Sequence, residues 1–431
     1  MIRSAQAGAA ADGQQAAPVL LSLFFWRRLE LEGGSALVRG LVEAAPRGME
    51  LRLLLPSPVP GLPEAPVVSY ARRTRLGTLL AYLRHLRREA RRAGTLVLLD
   101  NNPAFHLLFS PLVPGLRRAL VFVVAPCFES RVAPTGRGRR PDRQAWAHRL
   151  GKSAAVARWA GRLFGHRALA YVVSTAYQQE QLARLGFPAS RVMVAPFGAA
   201  GEFPAPVAAR EGDGGGERLV IGYLGHYSPV KGVPELVRAV HALAVAARPV
   251  ELRIAWSGKG TERAEVESLL AAVPAPGIVR VEGRVDVASF LAGLDLVVLP
   301  MRHESFPHPP LVLVEALAAG VPVVASDAGG LPDLLAPGPF GAVFPRGDAA
   351  ALAALLREIE ADRGRLAAWR RNIAEDAGRL YDNRALWARL MARRGTGSGA
   401  GAPGGAPARS PAAPAPGEPG RGDARSVRAR P

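Results

Sequence analysis

The chain holds one cysteine, Cys127, so neither an intrachain disulfide nor a cysteine metal cluster can form, which fits a reducing compartment. Lysine is almost as scarce: only Lys152, Lys231 and Lys259 occur among 55 basic residues. Aromatic residues make up 6%, and no RNP-like aromatic strand, zinc module or clear helix-turn-helix is found, so the expectation is no nucleic-acid partner. No run of about 18 uncharged apolar residues occurs, which excludes an ordinary membrane-spanning helix. The stretch APVLLSLFFW follows a polar segment and precedes Arg27 and Arg28, the reverse of a secretory signal's order, and it reads as a first buried strand.

What is present suffices for two domains. At 431 residues, 49% of them apolar, the chain exceeds what one core usually organises. The net charge of +19 comes from arginines spread over every segment, which reads as coding composition more than as a binding footprint. Against that background a lysine at a motif position is informative.

Leu/Val-rich runs alternate with amphipathic helical segments from residue 18 to about 378, the pattern of βαβ units with parallel sheets. Strands are expected at 19–26, 49–55, 95–100, 119–125, 169–174 and 191–196, with helices at 78–93 and 143–166 between them. A second series follows at 219–224, 250–256, 278–283, 295–299, 322–326 and 341–344, apolar enough for strands buried on both faces. The segment EFPAPVAAREGDGGGER breaks the alternation and marks a boundary. The reading is therefore a disordered N-terminus at 1–17, a first Rossmann-like domain at 18–201, a linker at 202–217, a second Rossmann-like domain at 218–378, a terminal helix at 379–394 packing back on the first domain, and a basic disordered tail at 395–431. Two doubly wound domains leave a cleft between the carboxyl ends of their strands.

Three segments face that cleft. In GYLGHYSPVKGVPELVRAV a strand ends near Leu224, a loop holding Gly225, His226 and Lys231 follows, and a helix begins at Val233–Pro234. Such a loop offers backbone N–H groups, a helix N-terminus and an ammonium to an anion; the plain alternative is a surface lysine on a βα loop. In HESFPHPPLVLVEALAAGVPVVAS, Glu304 lies in a loop, Pro309–Pro310 start a helix, and Gly320 ends it. Glu315 then sits about one and a half turns into that helix, able to accept hydrogen bonds from a sugar diol; the alternative is two solvated carboxylates. In ELEGGSALVRGLVEAA, Gly33 and Gly34 permit close backbone approach of a ligand, or simply a βα turn.

Together these stretches, with RVMVAPFGAAGEF, VEGRVDVASFLAGLDLVVLP and ESF…LVLVEALAAGVPVVASDAGGLPDLL, resemble retaining glycosyltransferases of family 4, across nearly the whole chain to about residue 394. The resemblance implies the α/β GT-B fold, two doubly wound Rossmann-like domains facing a central cleft, with the acceptor on the first domain and the donor on the second. It implies that Lys231 binds the donor diphosphate, that Glu315 binds the ribose hydroxyls, that Glu304 contacts the donor sugar, and that Gly33 and Gly34 approach the donor phosphates or the acceptor. Lys231 and Glu304 are the residues it places in catalysis, and Gly225 and His226 complete the donor loop.

The family reaction retains anomeric configuration, needs no cofactor and usually no metal, and uses the leaving diphosphate to help deprotonate the acceptor. Partners are then a nucleotide-diphosphate sugar and a glycan or lipid-linked acceptor. Relatives that modify lipid-linked sugars dock on the cytoplasmic leaflet, so a cytoplasmic enzyme, with an anionic membrane surface as a further partner, is implied; a plain solvated arginine-rich helix face is the alternative for 75–94.

Three positions depart from the family pattern. Glu304 and Glu315 enclose ten residues, more than usual, His226 stands where an arginine is expected, and Cys127 where many relatives place a histidine, with His106 as the fallback on the acceptor side. A GT-B epimerase or hydrolase, or a degenerate GT-B scaffold without transfer activity, are the other readings of the same residues.

Overall fold

The computed structural model describes residues 17–23, 33–59, 61–62, 66–100, 115–123, 154–201, 203, 218–260, 262–283, 285–303, 309–336 and 338–396. Two wholly parallel sheets organise them. The first has strands β1 (Val19–Leu23), β2 (Leu51–Leu55), β3 (Val67–Ser69), β4 (Thr95–Asp100), β5 (Ala119–Val123), β6 (Ala170–Val173) and β7 (Val192–Val194), in the order β3-β2-β1-β4-β5-β6-β7. The second has β8 (Leu219–Tyr227), β9 (Val250–Gly260), β10 (Ile278–Glu282), β11 (Leu296–Leu299), β12 (Val323–Ser326) and β13 (Gly341–Phe344), ordered β10-β9-β8-β11-β12-β13. This is the expected pair of doubly wound sheets.

Apart from small shifts at element ends, the described elements differ from the expected ones in two places. β3 is an addition to the expected strands: three residues at a sheet edge, just after Pro66, are too few to show a periodic pattern. β8 and β9 run past their expected ends at 224 and 256, because a bulge at Gly225–Tyr227 lets pairing continue to Tyr227↔Gly260. Gly225 and His226 therefore lie in the strand, and the loop proper is only 228–232. The basic helix spans Arg75–Arg92; of the helix expected at 143–166, Ala154–Phe164 is described and 143–153 lies outside the described residues.

Alternation along the strands supplies both faces of each sheet. In β1, Leu20 packs with Tyr82 and Leu86 of the Arg75–Arg92 helix and with Ala157 and Ala160 of the Ala154–Phe164 helix. Leu21 points the other way, into a core shared with Leu37 and Leu41 of the Gly33–Glu43 helix that continues into the second half through Leu313, Leu317 and Trp387. The outer face of the second sheet buries Ile221 and Leu252 against Leu236, Val240 and Leu356. The Asn383–Thr396 helix lies across the first half: the Trp387 indole N–H donates to Leu41 O at 2.7 Å, and Asn383 Oδ1 accepts from Gly198 N at 2.8 Å.

Among the described residues no helix is long and apolar enough to cross a membrane.

Candidate donor site at the strand switch point

The order of the second sheet places β8 beside β11, the pair from which successive connections leave in opposite directions. The backbone opens a crevice between the carboxyl ends of such a pair. The Lys231 loop leaves the end of β8 and the Glu315 helix follows β11, so the two segments that the sequence singles out flank this switch point. In the first sheet the corresponding pair is β1 and β4; Gly33 and Gly34 begin the helix after β1, whereas His106, after β4, lies outside the described residues. Glu304 and Cys127 also lie outside them.

The β8 loop is fixed against the end of β11 by backbone. Gly232 has φ +63°, and a Cβ there would lie 1.8 Å from Pro300 O, so only glycine allows this approach. From this position the Val233–Val245 helix starts, with Pro234 in its first turn. Gly225 has φ +149°, and a Cβ would meet the Tyr223 hydroxyl at 3.0 Å. That hydroxyl donates to His226 O at 2.7 Å and so holds the bulge closed.

Lys231 N donates to Ser228 O at 2.8 Å. The residue as a whole is half-buried, but its ammonium sits deep among protein atoms, and this burial lowers its pKa to about 8. An ammonium held at such desolvation cost next to a helix N-terminus is suited to a phosphate, whose charge would favour the cation.

Glu315 occupies the half-buried side of the Leu311–Ala318 helix, whose other side buries Leu313, Val314, Ala316 and Leu317. Gly320 N donates to Leu317 O and Val321 N to Ala316 O at 2.8 Å, a Schellman ending that turns the chain into β12. Burial pushes the Glu315 carboxyl up to about 7, with no charged or hydrogen-bonded partner for it among the described residues.

Sequence reasoning missed the residue that ties these parts together. The Arg302 backbone N–H donates to Val230 O at 2.9 Å. Its guanidinium pairs with Glu235 Oε1 through Nε at 2.9 Å and Nη2 at 2.8 Å, and its Nη1 donates to Glu262 Oε1 at 3.0 Å and to Pro229 O at 3.3 Å. Glu235 belongs to the first turn after Gly232 and Glu262 follows β9, so no local spacing could have linked the three. His303, next along, has its pKa lowered by burial and then by Arg346 and Arg302.

The two halves meet close to this region. Asp333 Oδ2 accepts from Tyr177 N at 2.8 Å, at the start of the Ala176–Arg184 helix, and Gly330 packs against Thr175 of the same turn. A cavity of about 480 Å³ lined by Gly40, Glu43, Ala199, Tyr381 and Asp382 lies elsewhere, where the chain crosses back to the first half, and holds none of the candidate site residues. The site is placed by strand topology.

Residues 218–362, which carry both the Lys-Gly loop at the switch point and the helix with the buried glutamate, match the family model of glycosyl transferases group 1. Over 149 residues the chain is 33% identical to a GDP-mannose-dependent alpha-mannosyltransferase of Mycolicibacterium smegmatis, covering 34% of this chain and 36% of that protein. The chain thus spans about a third of the length of the curated relatives it matches. In structure the likeness is wider. Sucrose-phosphate synthase from Thermosynechococcus elongatus superposes with a TM-score of 0.66 at 19% identity, over 87% of this chain and 98% of that one. HepE of Anabaena in complex with UDP-glucose gives 0.61 at 18%, over 87% and 98%. The fold is GT-B, and both halves take part in it.

Proposed function

We propose that the chain is a retaining, metal-independent glycosyltransferase that moves a sugar from a nucleotide-diphosphate sugar to a glycan or lipid-linked acceptor. The observation that carries this reading is the joint placement of the Lys231 loop and the Glu315 helix at the switch point of the second sheet. Support comes from the group 1 match over that half and from the nucleotide sugars named for similar proteins, GDP-mannose on which one depends and UDP-glucose bound to another.

In this reading the first half holds the acceptor and the second the donor. Lys231 and the N-terminus of the Val233–Val245 helix hold the diphosphate, and Glu315 accepts hydrogen bonds from the ribose hydroxyls. Glu304 contacts the sugar. The bond from the sugar's anomeric carbon to the phosphate oxygen breaks, a bond to the acceptor oxygen forms on the same face, and the acceptor proton passes to the departing diphosphate. Charge on that leaving group is what Lys231 stabilises.

A thermal-shift screen against UDP, GDP, ADP, TDP and CMP tests the reading. One nucleotide is expected to raise the melting temperature selectively, by the equivalent of about 2.7 kcal/mol at a hundredfold excess over Kd, and Glu315→Ala is expected to abolish the shift. A folded protein that responds to none of them would overturn the reading.

The partner on the acceptor side is proposed to include an anionic membrane surface on the cytoplasmic side. Counted by halves, the charge is uneven: residues 18–201 hold 27 basic against 10 acidic residues, whereas 202–394 hold 22 against 23. Basic residues are spread over both halves, so the contrast comes from the first half's shortage of acidic residues. On the first sheet's outer face, Leu76 and Leu80 are 66% and 58% exposed and Trp159 and Leu163 are 51% and 48% exposed, each pair spaced as helix-surface neighbours. Exposed arginines surround them, including Arg84, Arg87, Arg158 and Arg162. Basic and apolar groups on one face favour an anionic bilayer. The protein is expected to co-sediment with phosphatidylglycerol vesicles and not with phosphatidylcholine vesicles, and Leu76→Gln with Trp159→Gln to reduce the bound fraction severalfold. Equal partition to both lipids would refute this partner.

A further inference from the structure

We propose that Arg302 is a positioning residue for Lys231, locking the β8 loop and the β11 loop into one body at the donor site. The inference rests on the reading of Lys231 as a diphosphate ligand and adds a residue to it.

Arg302 brackets Lys231 from both sides along the chain. Immediately before it, Val230 O takes the Arg302 backbone N–H at 2.9 Å and Pro229 O takes Nη1 at 3.3 Å. Four residues after it, Glu235 takes Nε and Nη2 at 2.9 and 2.8 Å. Glu262, held by Nη1 at 3.0 Å, closes the clamp from a third segment. Arg302 and both carboxylates are largely shielded, with side-chain exposures of 28%, 9% and 13%. Charge-assisted bonds at such sites are strong, and one partner cannot leave without exposing the others to an uncompensated charge.

The geometry needs arginine. A guanidinium presents its donors as a planar fork and reaches a carbonyl and two carboxylates at once, whereas an ammonium is a single point charge. Arg302 is also only two residues before Glu304 in the chain. It touches no reacting atom in this scheme and acts through the residues it holds.

A double-mutant cycle read by calorimetric titration of UDP, GDP, ADP, TDP and CMP separates positioning from simple support of the fold. Wild type is expected to bind one of the five, and Lys231→Ala and Arg302→Gln each to weaken it at least tenfold. The double variant is expected to fall well short of the product of the two losses, because Arg302 acts through Lys231. Losses that multiply in full would overturn the inference.

Glu235→Ala provides a second test that does not require the arginine variant to fold. Removing a carboxylate near a diphosphate should tighten binding by electrostatics alone; loosening the clamp should weaken it, and several-fold weaker binding is expected. Tighter or unchanged binding in the folded variant would refute positioning while leaving the function intact. Failure of wild type to bind any of the five would instead overturn the functional reading and this inference with it.

Discussion

Lys231→Ala is expected to lower the turnover of sugar transfer at least tenfold, a loss of about 1.4 kcal/mol or more of transition-state stabilisation. In the proposed reaction charge builds on the leaving diphosphate as its bond to the sugar breaks, so an ammonium beside it would contribute more in the transition state than in the bound ground state. The site is prepared for this. Lys231 is already desolvated, Gly232 packs closely against Pro300 O, and the loop is pinned to the end of β11. Turnover equal to wild type would remove Lys231 from the mechanism.

The same residue gives a pH signature. With its pKa lowered to about 8, Lys231 in the free protein loses its charge as pH rises through that value, so donor kcat/KM is expected to fall above pH 8. Bound donor favours the cation, so the limb in kcat should lie at higher pH. Both limbs should vanish in Lys231→Ala. Stability moves the other way: between the folded value and the ordinary lysine value of 10.5 the unfolded chain holds more protons, so unfolding becomes harder with rising pH across that window.

How much of this is legible in the sequence depends on the range of the interaction concerned. The Leu/Val runs that form β8, β11 and β12 are local, and so are the Pro and Gly signals around 233, 310 and 320. They suffice to place Lys231 and Glu315 after neighbouring strands, because order in a doubly wound sheet is nearly dictated by chain direction. The clamp is not legible, since Arg302 meets Glu235 and Glu262 across 67 and 40 residues with no period to betray it. His226 reads as a loop residue because Gly225 looks like a strand terminator, whereas a glycine at φ +149° lets the ladder bulge and continue. The contact of Asp333 with Tyr177 N spans 156 residues and joins the two halves, which lies beyond any local pattern. The charge contrast between the halves is present in the sequence, but it emerges only when the halves are counted separately.

Glu315→Gln is expected to separate stability from function in opposite directions. Burial raises the Glu315 pKa from the ordinary glutamate value of 4.5 to about 7, so between these values the folded chain holds the extra proton. The contribution of this group to stability is therefore fully present below about pH 4.5 and is lost as pH rises through 7. At pH 8 the buried carboxylate opposes folding by an amount on the order of 3 kcal/mol at most, because each tenfold change in proton affinity corresponds to about 1.4 kcal/mol. Glutamine fills the same space without the charge, so the variant without nucleotide should melt higher than wild type at pH 8, and the gap should close towards pH 5. Binding runs the other way. A carboxylate accepts hydrogen bonds from two ribose hydroxyls, and hydrogen bonds to a charged group are worth about 1.5–3 kcal/mol, so the nucleoside diphosphate should bind roughly ten- to a hundredfold more weakly. A side chain kept at a cost to the empty fold, and repaid only when a diol arrives, is what a ligand-binding role requires. Lower melting at pH 8 together with unchanged nucleotide affinity would show instead that the carboxylate serves the fold.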